Sequence, residues 1–151
     1  MKKRFHLKSK IVLLSFISIV FLMAPSLAQS AEIPKIILNG IEAYKNQSAE
    51  AAIQTWLKGS PLENDKNALS QSNLLLRIES FYGKIVGFNL IEKKKFSENS
   101  TIYYLEMRHE AGPVFAKFLT YKTKKGTIIV SFDLNTKPEA VFPQKMLSSK
   151  N

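Results

Sequence analysis

Cysteine is absent from this chain, which removes disulfides, thiol catalysis and thiolate metal sites at a stroke. Histidine is nearly absent, with only His6 and His109, so a metal site built from several imidazoles cannot form. Glycine and proline are sparse at 6 each, and no low-complexity tract is present; the composition is that of a folded domain rather than of collagen, coiled coil or disordered sequence. Acidic residues are missing from the first 31 positions. Neither a nucleotide-binding glycine fingerprint nor a phosphate loop occurs. Gly59-Ser60 follows a helical pattern and precedes Pro61, the wrong setting for a nucleophile elbow, and a single usable His offers no Ser-His-Asp arrangement.

What is present falls into two parts. Residues 1–31 read as a secretory signal: Lys2, Lys3, Arg4, Lys8 and Lys10 precede the uncharged run Ile11–Ala24, Pro25 breaks that run, and small residues follow. Cleavage is predicted near Ala28. The 14-residue run is shorter than the roughly 18 residues expected of a membrane span, so no stable span remains after cleavage, and the protein is predicted to be periplasmic or secreted. An uncleaved anchor is the alternative, because continuing through Pro25 to Ala28 reaches that length. The leader holds five of the 22 basic residues and none of the 12 acidic ones, so about half of the formal charge of +10 is targeting. Export also argues against a nucleic-acid partner. The remaining lysine runs, Lys93-Lys94-Lys95 and Lys122, Lys124 and Lys125, are placed near hairpin ends as solvated turns, with attraction to an anionic surface as the lesser reading.

The 151 residues leave room for one domain after the leader, 32–143, with 144–151 as a flexible tail. Helical spacing predicts a first helix over Glu32–Asn46 carrying Ile37, Ile41 and Tyr44, with Gly40 a mid-helix cost of about 1 kcal/mol. A second helix follows Ser48 as N-cap, has Ala49, Ala52, Ile53, Trp56 and Leu57 on one face, and stops at Lys58-Gly59-Ser60-Pro61. A third is predicted from Leu62 to Tyr82, with Glu63 and Asp65 in its first turn and Gly83 ending it. The period then changes to 2, predicting strands at Lys84–Lys93, Thr101–His109, Val114–Lys122 and Thr127–Asn135. Val86, Phe88 and Leu90 are expected on one face of the first strand. In the last, Ile128, Val130, Phe132 and Leu134 are expected opposite Ile129, Ser131 and Asp133. The predicted fold class is α+β, with three N-terminal helices packed on one face of a curved four-stranded antiparallel sheet. Val141 and Phe142 are expected to dock on the body.

Tyr82-Gly83-Lys84, Glu110-Ala111-Gly112-Pro113 and Tyr121-Lys122, in this order of elements, resemble small exported bacterial domains of the nuclear transport factor 2-like, cystatin-like cone family. The resemblance spans nearly all of the chain after the leader. One departure is Gly126-Thr127, where such domains often carry Trp after the hairpin Gly. The resemblance implies a conical cavity between helices and sheet, used by different members for steroid-like substrates or for partner proteins, and it implies frequent dimerisation through the open sheet face, where Ile102, Tyr104 and Ile129 would supply an apolar patch. The fold by itself does not choose a function.

Aromatic side chains offer a large contact area at low entropic cost, and Trp56, Tyr82, Tyr103, Phe115, Tyr121 and His109 are the candidate ligand-contacting residues. Trp56 is expected foremost as a packing anchor. No catalytic, metal or cofactor residues are assigned. Asp133 is expected to face solvent, whereas Glu106, Arg108 and His109 at the end of one strand are expected to form a polar cluster. These features predict an exported, non-enzymatic binding or interaction module for a small hydrophobic ligand or a protein partner, with a weak homodimer. The alternatives are a small isomerase or hydratase acting on a hydrophobic substrate, which needs a buried ionisable group in the cavity, and a membrane-anchored accessory domain of a secretion channel.

Overall fold

The computed structural model describes residues 32–148. The predicted leader at 1–31 and its cleavage site lie outside the described residues, as do 149–151. Three helices precede the sheet, α1 (Lys35–Asn46), α2 (Ala49–Leu57) and α3 (Lys66–Tyr82). Four strands follow, β1 (Ile85–Lys95), β2 (Ser100–His109), β3 (Pro113–Thr123) and β4 (Gly126–Asn135), paired as an open antiparallel meander in the order β1-β2-β3-β4. A short 3-10 turn at Pro138–Ala140 and a fourth helix, α4 (Gln144–Ser148), close the described chain. The protein is therefore α+β, and the stretch expected as a tail from 144 contains a short helix that the sequence reading did not anticipate. No helix among the described residues is long and apolar enough to cross a membrane.

Local chemistry sets the helix boundaries. Pro34 precedes α1 and starts it three residues later than Glu32. The Ser48 hydroxyl accepts from the Ala51 amide at the start of α2. The third helix begins at Lys66 rather than Leu62, because the Asp65 carboxylate accepts from the Ala68 amide and caps the helix there. Glu63, expected in the first helical turn, instead accepts from the Gly59 amide. Gly59 and Gly83 both take the positive φ that ends their helices, at 74° and 75°.

Two strands depart from simple alternation, and both are the free edges of the sheet. In β1 the pairing passes from Ile85↔His109 to Gly87↔Arg108 and from Leu90↔Leu105 to Glu92↔Tyr104. Val86 and Ile91 are therefore extra residues, each exposed, and Val86 does not share a face with Phe88 and Leu90 as expected. In β4 the pairing passes from Leu119↔Ser131 to Thr120↔Ile129, so Val130 is the extra residue. That bulge reverses the phase: Ile129 joins Phe132 and Leu134 on the core face, and Ile129 is completely buried. The central strands β2 and β3 pair without a slip.

The main core lies between α1, α2 and the inner face of the sheet, centred on Trp56. The Trp56 ring sits 5.0 Å from Phe118 and 6.0 Å from Phe132, and its indole Nε1 donates to the Ile37 carbonyl at 3.0 Å. Gly40 is what admits it: a methyl group at Gly40 would fall inside the indole. The glycine that reads as a helix-weakening residue is thus the seat of the largest core side chain. A second, smaller cluster occupies the outer face, where Val141 and Phe142 cover Tyr104, with Ile102, Phe115 and Met146 at its margin.

Candidate functional site

The six candidate ligand residues do not converge. Trp56, Tyr103 and His109 lie on the inner side and are buried. Phe115 and Tyr121 lie on the outer face, because Val114, Ala116, Phe118 and Thr120 take the inner positions of β3. Phe115 packs against Phe142 at 5.2 Å, and Tyr121 is 42% exposed. Tyr82 sits over Gly112, where a methyl group would meet its ring, and it borders a hollow of about 450 Å³ with Arg77, Phe81 and Thr136. Of the three motifs that carried the family resemblance two meet, as Ala111 N donates to the Tyr82 carbonyl at 2.8 Å and Glu110 N to the Lys84 carbonyl at 3.1 Å, while Tyr121-Lys122 lies at the other end of the sheet.

The expected polar cluster at the end of β2 is split between the two faces. Glu106 points outward and accepts from Asn89 Nδ2 at 2.8 Å, and the Arg108 guanidinium lies over Gly87. His109 points inward, as strand alternation requires of a neighbour of Arg108. Asp133 is half-exposed, as expected, and pairs with Lys117 at 2.7 Å. Among the described residues no three His, Asp or Glu side chains gather in a metal-binding arrangement. The groups that a proton-transfer reaction would draw on are held apart. The apolar patch proposed for dimerisation is also dismantled, since Ile129 is in the core and Tyr104 lies under Phe142.

His109 has an environment that the sequence did not reveal. The Tyr44 hydroxyl donates to the Leu75 carbonyl at 3.1 Å and shares a second hydrogen bond of 3.2 Å with His109 Nε2. His109 Nδ1 is buried and makes no hydrogen bond of good geometry. Burial lowers the imidazole below its usual pKa, opposed by the Met107 backbone and the Glu79 carboxylate. Burial, and then Glu79, raises the Tyr44 phenol. Tyr103 is raised in the same way by burial and by Glu32, against a hydrogen bond from Thr101. Both phenols are neutral hydrogen-bonding groups at physiological pH.

A second opening lies elsewhere, between the N-terminal half of α3 and the free edge of β4. It is a groove of about 410 Å³, bordered on the helix side by Asn67, Ala68 and Gln71 and on the sheet side by every residue from Val130 to Asn135. Side chains of a strand alternate between faces, so a groove touched by six consecutive residues must run along the strand's backbone edge. This edge is not paired with another strand of the sheet. Asp133 is its one charged residue, and its bulge lies at the start of the groove. Sequence reasoning missed the groove because Asn67, Gln71, Ser131 and Asn135 are ordinary surface residues. The available signal was that the last strand of a meander is an edge and that this one carries almost no charge to guard it.

No known family model, curated protein or solved structure matches this chain.

Proposed function

We propose that the protein is an exported, non-enzymatic binding module of nuclear transport factor 2-like architecture that holds an extended peptide segment of a partner protein along β4. The observation that carries this reading is the groove between α3 and the unpaired backbone edge of β4. An added strand finds main-chain hydrogen-bonding groups there at once, and side chains supply selectivity. Leu134 and Val141 offer apolar contact, while the amides of Asn67 and Gln71 face the strand from the opposite wall. Capture of a hydrophobic molecule in the cone's interior finds less support, because Trp56, Phe118 and Phe132 fill the space beneath α2. The export component rests on the basic and apolar leader of the sequence.

Selection of peptides from a random library, followed by amide NMR of the complex, tests the reading. Shift changes and slowed amide exchange should concentrate at residues 130–135 and at Asn67 and Gln71. Gln71→Trp, which fills the groove from its rim, should abolish binding with little change in Tm. Peptides that perturb other surfaces, or that bind this variant unchanged, would overturn the proposal.

A further inference from the structure

The antiparallel meander brings separated lysines to one end of the molecule. Lys95 pairs with Thr101, Thr101 with Thr120, and the β3–β4 turn lies just beyond, so the β1–β2 and β3–β4 hairpins share an end. The Lys122 amide donates to the Asn99 carbonyl at 2.8 Å, tying the two hairpins together. Lys93, Lys94, Lys95, Lys122, Lys124 and Lys125 are all exposed there. Lys58, at the end of α2, joins them by facing the β3–β4 turn across a hollow of about 500 Å³. Against these seven cations stand the carboxylates of Glu32, Glu63, Glu92 and Glu98, an excess of three where the described residues as a whole carry an excess of four. The basic character that remains after the leader is therefore concentrated at one end.

That end also exposes aromatic surface. Phe96, at the β1–β2 turn, is 62% exposed, with the Lys94 ammonium 5.3 Å from its ring centroid, and Tyr121 stands beside Lys122. Large apolar side chains ringed by lysines suit a layer that is anionic at its surface and apolar beneath. All seven cations are lysines, and both arginines of the described residues, Arg77 and Arg108, lie elsewhere. Lysine is a mobile point charge suited to a diffuse layer of phosphates, whereas arginine's planar fork is the usual device for reading nucleic acid. We propose that this hairpin end docks on an anionic lipid bilayer, with the lysines meeting headgroup phosphates and Phe96 entering the headgroup layer.

The test compares binding of the full chain to vesicles of phosphatidylglycerol with phosphatidylcholine, to phosphatidylcholine alone and to a thymidine oligonucleotide. Residues before Glu32 contribute equally to every variant. The triple change Lys94→Glu, Lys124→Glu, Lys125→Glu should lower partitioning to the anionic vesicles by at least about 100-fold, from roughly fivefold per lysine removed. The equally charged control Lys45→Glu, Lys66→Glu, Lys145→Glu should lower it far less. The indole introduced by Phe96→Trp should be quenched by brominated phosphatidylglycerol, while Trp56, fully buried, should not be. Equal losses in the two triple variants, no quenching at position 96, or tighter binding to the oligonucleotide than to vesicles at matched phosphate would each overturn the proposal.

Discussion

Two apolar clusters stand back to back across the sheet. The inner one draws on all three N-terminal helices and all four strands, and many of its side chains have no exposure at all. The outer one is Tyr104, Val141 and Phe142 with three flanking residues, held by edge-to-face ring contacts at 5.6 and 5.2 Å. The comparison teaches where this sheet needs cover. The central strands β2 and β3 turn Ile102, Tyr104 and Phe115 to the outer face, so that face must be sealed there, and a short C-terminal stretch is enough to do it. The inner cluster carries the stability of the fold, and the outer one chiefly hides surface that would otherwise attract a partner. Trp56→Ala tests the first half of that statement. It removes the central ring and its hydrogen bond to Ile37, and should destabilise by about 3–5 kcal/mol in denaturant unfolding. A loss below about 1 kcal/mol would move the centre of the core elsewhere.

Gly40→Ala probes the same contact from the other side. Helix propensity alone favours alanine by roughly 1 kcal/mol, so an exposed mid-helix glycine would be improved by the change. Here the new methyl collides with the indole, and the variant should instead lose about 1–3 kcal/mol. The sign of the change is the result to watch, since a gain in stability would show that α1 and α2 can separate without cost.

Gly40 also shows how far the sequence could be read. Periodicity located all three N-terminal helices and all four strands, though not the faces of β1 and β4, and Ser48, Gly59 and Gly83 marked helix ends through their own backbone chemistry. The reason for Gly40 was hidden, since it depends on a residue in another helix. The bulges at Val86, Ile91 and Val130 were hidden for a related reason: β-branched residues look alike whether they sit in the pleat or out of it, and only the partner strand decides. The same gap undid the expected dimer patch, because one unrecognised bulge in β4 moved Ile129 from the outer face to the inner. The groove along β4 arises from the approach of two elements distant in sequence, so no local pattern encodes it.

For the outer cluster, Phe142→Ala should cost less than the changes at Trp56, about 1–2 kcal/mol, because the ring lies at a margin with two aromatic partners. Its larger consequence is in solution behaviour. With Phe142 removed, Tyr104 and Phe115 become exposed beside Ile102, and the variant should self-associate at concentrations where the parent does not. Light scattering on both proteins checks this. An unchanged mass for the variant would mean that the tail covers nothing adhesive.

The smallest effect is expected beside the inner cluster, at the buried imidazole of His109, whose Nδ1 makes no hydrogen bond of good geometry. Burial holds the folded imidazole below its ordinary value of 6.5, so as pH falls through that value the unfolded chain takes up the proton first. Protons favour the state that binds them more tightly, and stability must therefore decline on the acidic side of 6.5 and level off once the folded form also titrates. The Glu79 carboxylate and the Met107 backbone moderate the decline, because both favour the charged ring. His109→Gln removes the titrating group but keeps an amide able to hydrogen-bond with Tyr44 as donor or acceptor. Urea unfolding at about pH 7.5 and again at about pH 5.5 should show the parent losing more stability than the variant. The gap between the two proteins should then narrow as pH falls, with His6 cancelling because both chains carry it. Parallel declines would place the acid sensitivity on the carboxylates and leave His109 a neutral packing residue.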